Sequence, residues 1–66
     1  MLKPRIKIRL AEMNIKQKEL SEQLGVTKQT LSSWSNGKNT PSLEMSFKIA
    51  RVLECKVDDL FIYIED

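Results

Sequence analysis

The chain has 66 residues, a formal net charge of +2, one cysteine and no histidine. That leaves room for a single domain (residues 1–66) whose core is marginal without help. It rules out an intrachain disulfide and a Cys/His zinc site. The commonest general base is missing and no glycine-rich phosphate loop occurs, so neither an enzyme nor a metal, cofactor or small-molecule ligand is expected.

The first helix is predicted over Pro4–Met13. Proline is tolerated in a first turn, where its missing N–H has no partner to lose, and Ile6, Leu10 and Met13 recur at helical spacing. Asn14 suits a left-handed position behind the helix, and Ile15 returns to the core. Arg5, Lys7 and Arg9 read as a solvated face of this helix within reach of a phosphate. The second helix is predicted over Gln17–Leu24, with Leu20 and Leu24 on its buried side and Glu19 favourably placed near its N-terminus. Lys16 is a poor N-cap for it. Gly25 supplies a tight turn, Val26 plugs the core, and Thr27 caps a third helix that runs to about Ser35, with Leu31 and Trp34 inward and Thr30 packed toward the second helix. Asn36-Gly37 stops it.

Residues 36–41 form a polar loop. Ser42 then caps a fourth helix reaching Leu53 or Glu54, with Leu43, Ser46, Ile49, Ala50 and Leu53 as the inward stripe. A short fifth helix follows over Val57–Phe61. The tail Ile62-Tyr63-Ile64-Glu65-Asp66 has strand composition and no strand partner is expected in so small a helical chain. Cys55 reads as a small hydrophobe. There is neither an apolar stretch of signal-peptide length nor one long enough to span a bilayer, which makes a cytoplasmic, nucleoid-associated protein the expectation.

Residues 1–40 hold eight Lys/Arg against three Asp/Glu, and residues 41–66 hold three against six. The basic half is the half with the two helices joined at Gly25. Such a one-sided field suits a polyanion. The outer face of the third helix, Thr27, Lys28, Gln29, Ser32 and Ser33, carries side chains able to hydrogen-bond base edges and phosphates.

Gln17, Glu19-Leu20, Leu24-Gly25-Val26-Thr27, Leu31, Asn36-Gly37-Lys38, Pro41-Ser42-Leu43, Ile49-Ala50, Leu53 and Asp58-Asp59-Leu60-Phe61 together resemble the lambda-repressor-like, Cro/C1-type (XRE) helix-turn-helix domains over residues 5–61. The resemblance implies an all-α, five-helix domain whose third helix enters the major groove of double-stranded DNA, as a repressor bound as a homodimer to a near-palindromic operator. It implies base contacts from Thr27, Lys28, Gln29 and Ser33, and backbone contacts from Gln17, Asn36 and Lys38, with Ser32 beside them. Many members bury an Arg–Glu pair where this chain has Leu10 and Ser35. Joint loss leaves no orphaned charge. Glu54 stands where glycine is frequent, so a costlier left-handed residue is expected there.

For dimerisation, Phe61, Ile62, Tyr63 and Ile64 are expected to pair with the same residues of a second chain as a short antiparallel ribbon; the alternative is that Phe61 and Ile64 fold back onto the first and fifth helices to finish the core. The rival function is a protein-interaction module, such as an antitoxin, with the acidic C-terminal half facing a partner protein.

Overall fold

The computed structural model describes residues 1–65; Asp66, the end of the 62–66 tail, lies outside them. The element order is β1 (Leu2–Pro4), α1 (Ile6–Met13), α2 (Gln17–Leu24), α3 (Lys28–Ser35), α4 (Leu43–Val52), α5 (Val57–Leu60) and β2 (Phe61–Tyr63). The helices are too short to be stable alone, and what holds them is a shared core. Six aliphatic side chains have no exposed surface: Ile6, Leu20, Leu31, Ile49, Leu53 and Leu60. Every helix supplies one, and Leu53 comes from the residue that ends α4. Each such burial is worth about 1.5–3 kcal/mol. Leu10, Leu24 and Ala50 complete the cluster, with Ile15, Val26, Trp34, Met45, Val52, Cys55, Val57 and Phe61 packed around it.

The helix starts follow local chemistry. The Thr27 hydroxyl accepts from the Thr30 N–H at 3.1 Å, and the Ser42 hydroxyl accepts from the Met45 N–H at 3.1 Å, both as N-caps. At α2 and α5 the residue in that position is a lysine, which cannot accept. A carboxylate three residues on reaches back instead: Glu19 accepts from the Lys16 N–H at 3.4 Å and Asp59 from the Lys56 N–H at 2.9 Å. This is half of a capping box.

Four helices end in the same way. A residue with positive φ follows the helix (Asn14, Gly25, Gly37 and Glu54), and the next N–H reaches a carbonyl five residues back. The pairs are Ile15 to Leu10 at 2.9 Å, Val26 to Ser21 at 3.0 Å, Lys38 to Ser33 at 2.9 Å and Cys55 to Ala50 at 2.9 Å. These are Schellman closures. Glu54, at φ 54°, carries the left-handed strain expected of it.

The exposed end of α4 is held by Arg9. Its Nε donates to the Leu53 carbonyl at 2.9 Å and its Nη2 to the Glu54 carbonyl at 3.1 Å. A guanidinium is favoured at a helix C-terminus, where the carbonyls leave partial negative charge. Nη1 lies 3.4 Å from Glu12. Arg9 is therefore a clamp between α1 and α4, not part of a free solvated face.

Several expectations are corrected. Pro4 does not open α1; it ends β1, and α1 starts at Ile6. The C-terminal strand does have a partner in its own chain, because β1 and β2 pair antiparallel with Leu2 opposite Tyr63, Lys3 opposite Ile62 and Pro4 opposite Phe61. Backbone bonds from Met1 N to the Ile64 carbonyl (3.0 Å), Ile64 N to Met1 (2.7 Å) and Arg5 N to Leu60 (2.7 Å) continue the ladder on both sides. Helix α5 accordingly stops at Leu60, one residue short of the expected end. Leu43 is 73 % exposed: it sits at the edge of the α4 stripe in the first turn, and buried Pro41 with half-buried Met45 covers the core there. Thr30 is exposed and belongs to the Thr27 cap rather than to packing against α2.

Two stability measurements follow. Replacing Glu54 by glycine removes the left-handed strain and is expected to raise unfolding stability by about 0.5–1 kcal/mol in urea titration. Thr27→Ala deletes the α3 cap and is expected to lower it by about 1 kcal/mol.

Candidate nucleic-acid interface

Helices α2 and α3, joined through Gly25, Val26 and Thr27, make the helix-turn-helix. Gly25 adopts φ 72°, which glycine alone takes at no steric cost, and the Val26 N–H closes back on Ser21. Leu20, Leu24 and Leu31 are buried between the helices and the rest of the core. That burial turns Lys28, Gln29, Ser32 and Ser33 to the opposite side of α3, where they are exposed or half-exposed. The spacing 28, 29, 32, 33 and then 36 keeps them on one helical face.

The face is free of acid. From Gln23 through Leu43 the chain carries no carboxylate, while Lys28 and Lys38 stand at its two ends. The Thr27 hydroxyl accepts from the Thr30 N–H as the cap and donates to the Thr30 hydroxyl at 2.9 Å, so its proton is already engaged. Gln29 and Lys28 make no side-chain hydrogen bond within the chain among the described residues, and both are exposed.

Gln17 sits at the first position of α2 and reaches the far end of α3. Its Nε2 donates to the Ser35 hydroxyl at 3.3 Å. Ser35 is buried, and its hydroxyl holds Gln17. An amide has two N–H donors, so one remains, beside the unpaired backbone N–H groups of the α2 N-terminus. Trp34 is half-buried against the core, as expected of it.

The loop after α3 is also held in place. Lys38 N donates to the Ser33 carbonyl at 2.9 Å and Gly37 N to Trp34 at 3.3 Å. Gly37, at φ 78°, lies against the ring of Pro4, 3.5 Å from where a Cβ would stand. The end of β1 thus supports the loop that carries Asn36 and Lys38. One contact was beyond sequence reasoning: the Lys7 ammonium, from α1, donates to Asn36 Oδ1, and Asn36 Nδ2 donates to the Ser32 hydroxyl at 3.2 Å. No local pattern signals it, since Lys7 and Asn36 are far apart in sequence.

Cys55 follows Glu54 behind α4 and packs against the core. Burial pushes its thiol above the ordinary value, against the pull of the Arg9 guanidinium, so it stays protonated at neutral pH, in keeping with a small hydrophobe. Among the described residues no group of three His, Cys, Asp or Glu is placed to hold a metal ion, and no helix is long and apolar enough to cross a membrane.

Comparison with known proteins agrees with this geometry. A helix-turn-helix family profile matches residues 6–60. The chain is 40 % identical over 65 residues to an HTH-type transcriptional regulator of Archaeoglobus fulgidus, covering 98 % of this chain and 92 % of that one. It is equally similar to regulator MJ0272 of Methanocaldococcus jannaschii, at 40 % over 65 residues and 98 % of each chain. Among solved structures, a candidate DNA-binding protein of Bacteroides fragilis superposes with a TM-score of 0.88 at 37 % identity, covering 94 % of this chain and all of that one. A transcriptional regulator from Listeria innocua shares the fold at TM-score 0.71 and 20 % identity, over 97 % of this chain and 64 % of that one. With its turn at Gly25, its capped third helix and its matches across nearly the whole length, the chain belongs to the helix-turn-helix family of DNA-binding transcriptional regulators.

Proposed function

We propose that the protein is a sequence-specific repressor that binds a near-palindromic operator as a homodimer, with α3 in the major groove. The observation that carries this is the acid-free outer face of α3, whose Lys28 and Gln29 are exposed and uncommitted. In this reading Thr27, Lys28, Gln29 and Ser33 meet base edges. Gln29 offers a donor and an acceptor together, which suits adenine N6 and N7. Gln17, Ser32, Asn36 and Lys38 meet the backbone and fix register.

A homodimer also needs a face. Leu2, Pro41, Leu43, Val57, Phe61 and Tyr63 line one shallow groove, continued along α4 by Phe47, which is 61 % exposed. A contiguous apolar surface of this kind on a small domain marks an interaction site. Its surroundings carry both signs, Glu44 and Asp58 with Lys48, Arg51 and Lys56, so a two-fold axis can set acid against base. Of the four tail residues expected at the interface, Phe61 and Tyr63 line this groove. Ile64 lines another beside Ser35, Asn36 and Gly37, and Ile62 alternates onto the same side as Ile64.

The test is selection of the protein on random duplex DNA, followed by binding of variants to the recovered site. A two-fold-symmetric motif is expected; sequence-blind binding would overturn the reading. Gln29→Ala is expected to lose about 1–3 kcal/mol on that site and to relax one base position. Lys38→Ala is expected to weaken all sequences alike and to flatten the salt dependence by about one unit. In sedimentation at about 50 µM the chain is expected to be dimeric and Phe47→Asp, at an exposed position of that face, monomeric; a monomeric unsubstituted chain would remove the dimer from the proposal.

A further inference from the structure

Arg5, Lys7 and Arg9 stand at alternate positions around the start of α1, and the fold sends them to different places. Arg9 is spent on the carbonyls that end α4. Arg5 lines a cleft with Arg9 that also holds Glu12, Glu54 and Asp59, so its surroundings are already rich in carboxylates. Lys7 alone turns toward α3, where its ammonium donates to Asn36 Oδ1.

The direction of the bonds there matters. Asn36 uses its oxygen for Lys7, and its nitrogen donates to the Ser32 hydroxyl. The amide is therefore fixed with its acceptor turned inward to the lysine. The donors the cluster still holds are the unused ammonium hydrogens, the second amide N–H and the Ser32 hydroxyl proton. Lys7 and Asn36 are exposed and Ser32 is half-exposed. The α3 segment and the loop after it add no carboxylate. A full positive charge with convergent donors and no carboxylate on the α3 segment or its following loop fits an anion with several acceptor oxygens. Holding the lysine in advance also reduces the side-chain freedom lost on binding.

We propose that Lys7, positioned by Asn36 and Ser32, binds a phosphate of the DNA backbone at the C-terminal end of α3. The proposal rests on the DNA-binding reading above and extends the contact surface to α1, outside the helix-turn-helix itself. The competing role is structural, since an ammonium beside the last turn of α3 is favoured by the helix dipole alone.

Salt titrations of duplex binding separate the two roles. Lys7→Gln keeps a donor for Asn36 and removes the charge. Its plot of log affinity against log salt is expected to be shallower than that of the unsubstituted protein by about 0.9. The loss is expected to be equal on the selected site and on random duplex, and Lys7→Arg is expected to restore the slope. The thermal midpoint of Lys7→Gln is expected to stay within about 2 °C. An unchanged slope, with or without a lower midpoint, overturns the phosphate role and leaves the DNA-binding reading standing. Absence of salt-dependent duplex binding by the unsubstituted protein overturns both. A second measurement needs no variant: adding the selected duplex is expected to protect the Lys7 amine from acetylation while Lys48 stays reactive. A Lys7 that remains equally reactive overturns the proposal.

Discussion

Six fully buried aliphatic side chains within one cluster hold this molecule together. Ile6, Leu20, Leu31, Ile49 and Leu60 come one from each helix, and Leu53 from the end of α4. Among the described residues no helix exceeds ten residues, so none supplies its own stability. The orientation of α3 relative to α2 is thus a property of the core rather than of the turn alone. Gly25 permits the bend, but it is the burial of Leu20 and Leu31 that decides which side of α3 faces outward. The polar face of α3 follows from where its single fully buried leucine must go.

The four helix ends repeat one device with one informative exception. After each left-handed residue comes a side chain that normally covers the helix end. Ile15, Val26 and Cys55 do this and pack against the core. In the fourth case, behind α3, the corresponding residue is exposed Lys38. The backbone closure is the same, so the fold does not need a lysine there. An apolar plug has been exchanged for a charge at the one helix end that adjoins the outer face of α3. Glu54 is the opposite kind of departure: it accepts strain in the backbone, and its carbonyl is one of the two that Arg9 binds.

What could be read from the chain depended on how local its cause was. The bounds of α2, the turn at Gly25, the caps Thr27 and Ser42 and the left-handed Glu54 are set within a few residues, and all were legible. The α3 outer face was legible too, because Leu31 fixes the phase of the helix. Strand β1 was not. Leu2–Pro4 is three residues long, and its partner lies about 60 residues away; a proline at a helix start is an equally good local solution for Pro4. Leu43 fits the inward stripe by spacing but stands 73 % exposed at its edge. Arg9 and Lys7 read alike in sequence, as bases on one helix, and only the tertiary positions of the α4 and α3 ends separate them.

The β1–β2 ribbon also orders the assembly of the fold in time. Its register joins Leu2 to Tyr63, and Met1 bonds Ile64 beyond it, the most distant backbone pairing among the described residues; closing so large a loop costs entropy that no local contact returns. The helices must therefore gather around their core first, bringing the two ends together before the strands can zip. Because Pro4 sits against Gly37, the support beneath the Asn36–Lys38 loop arrives only with that final step.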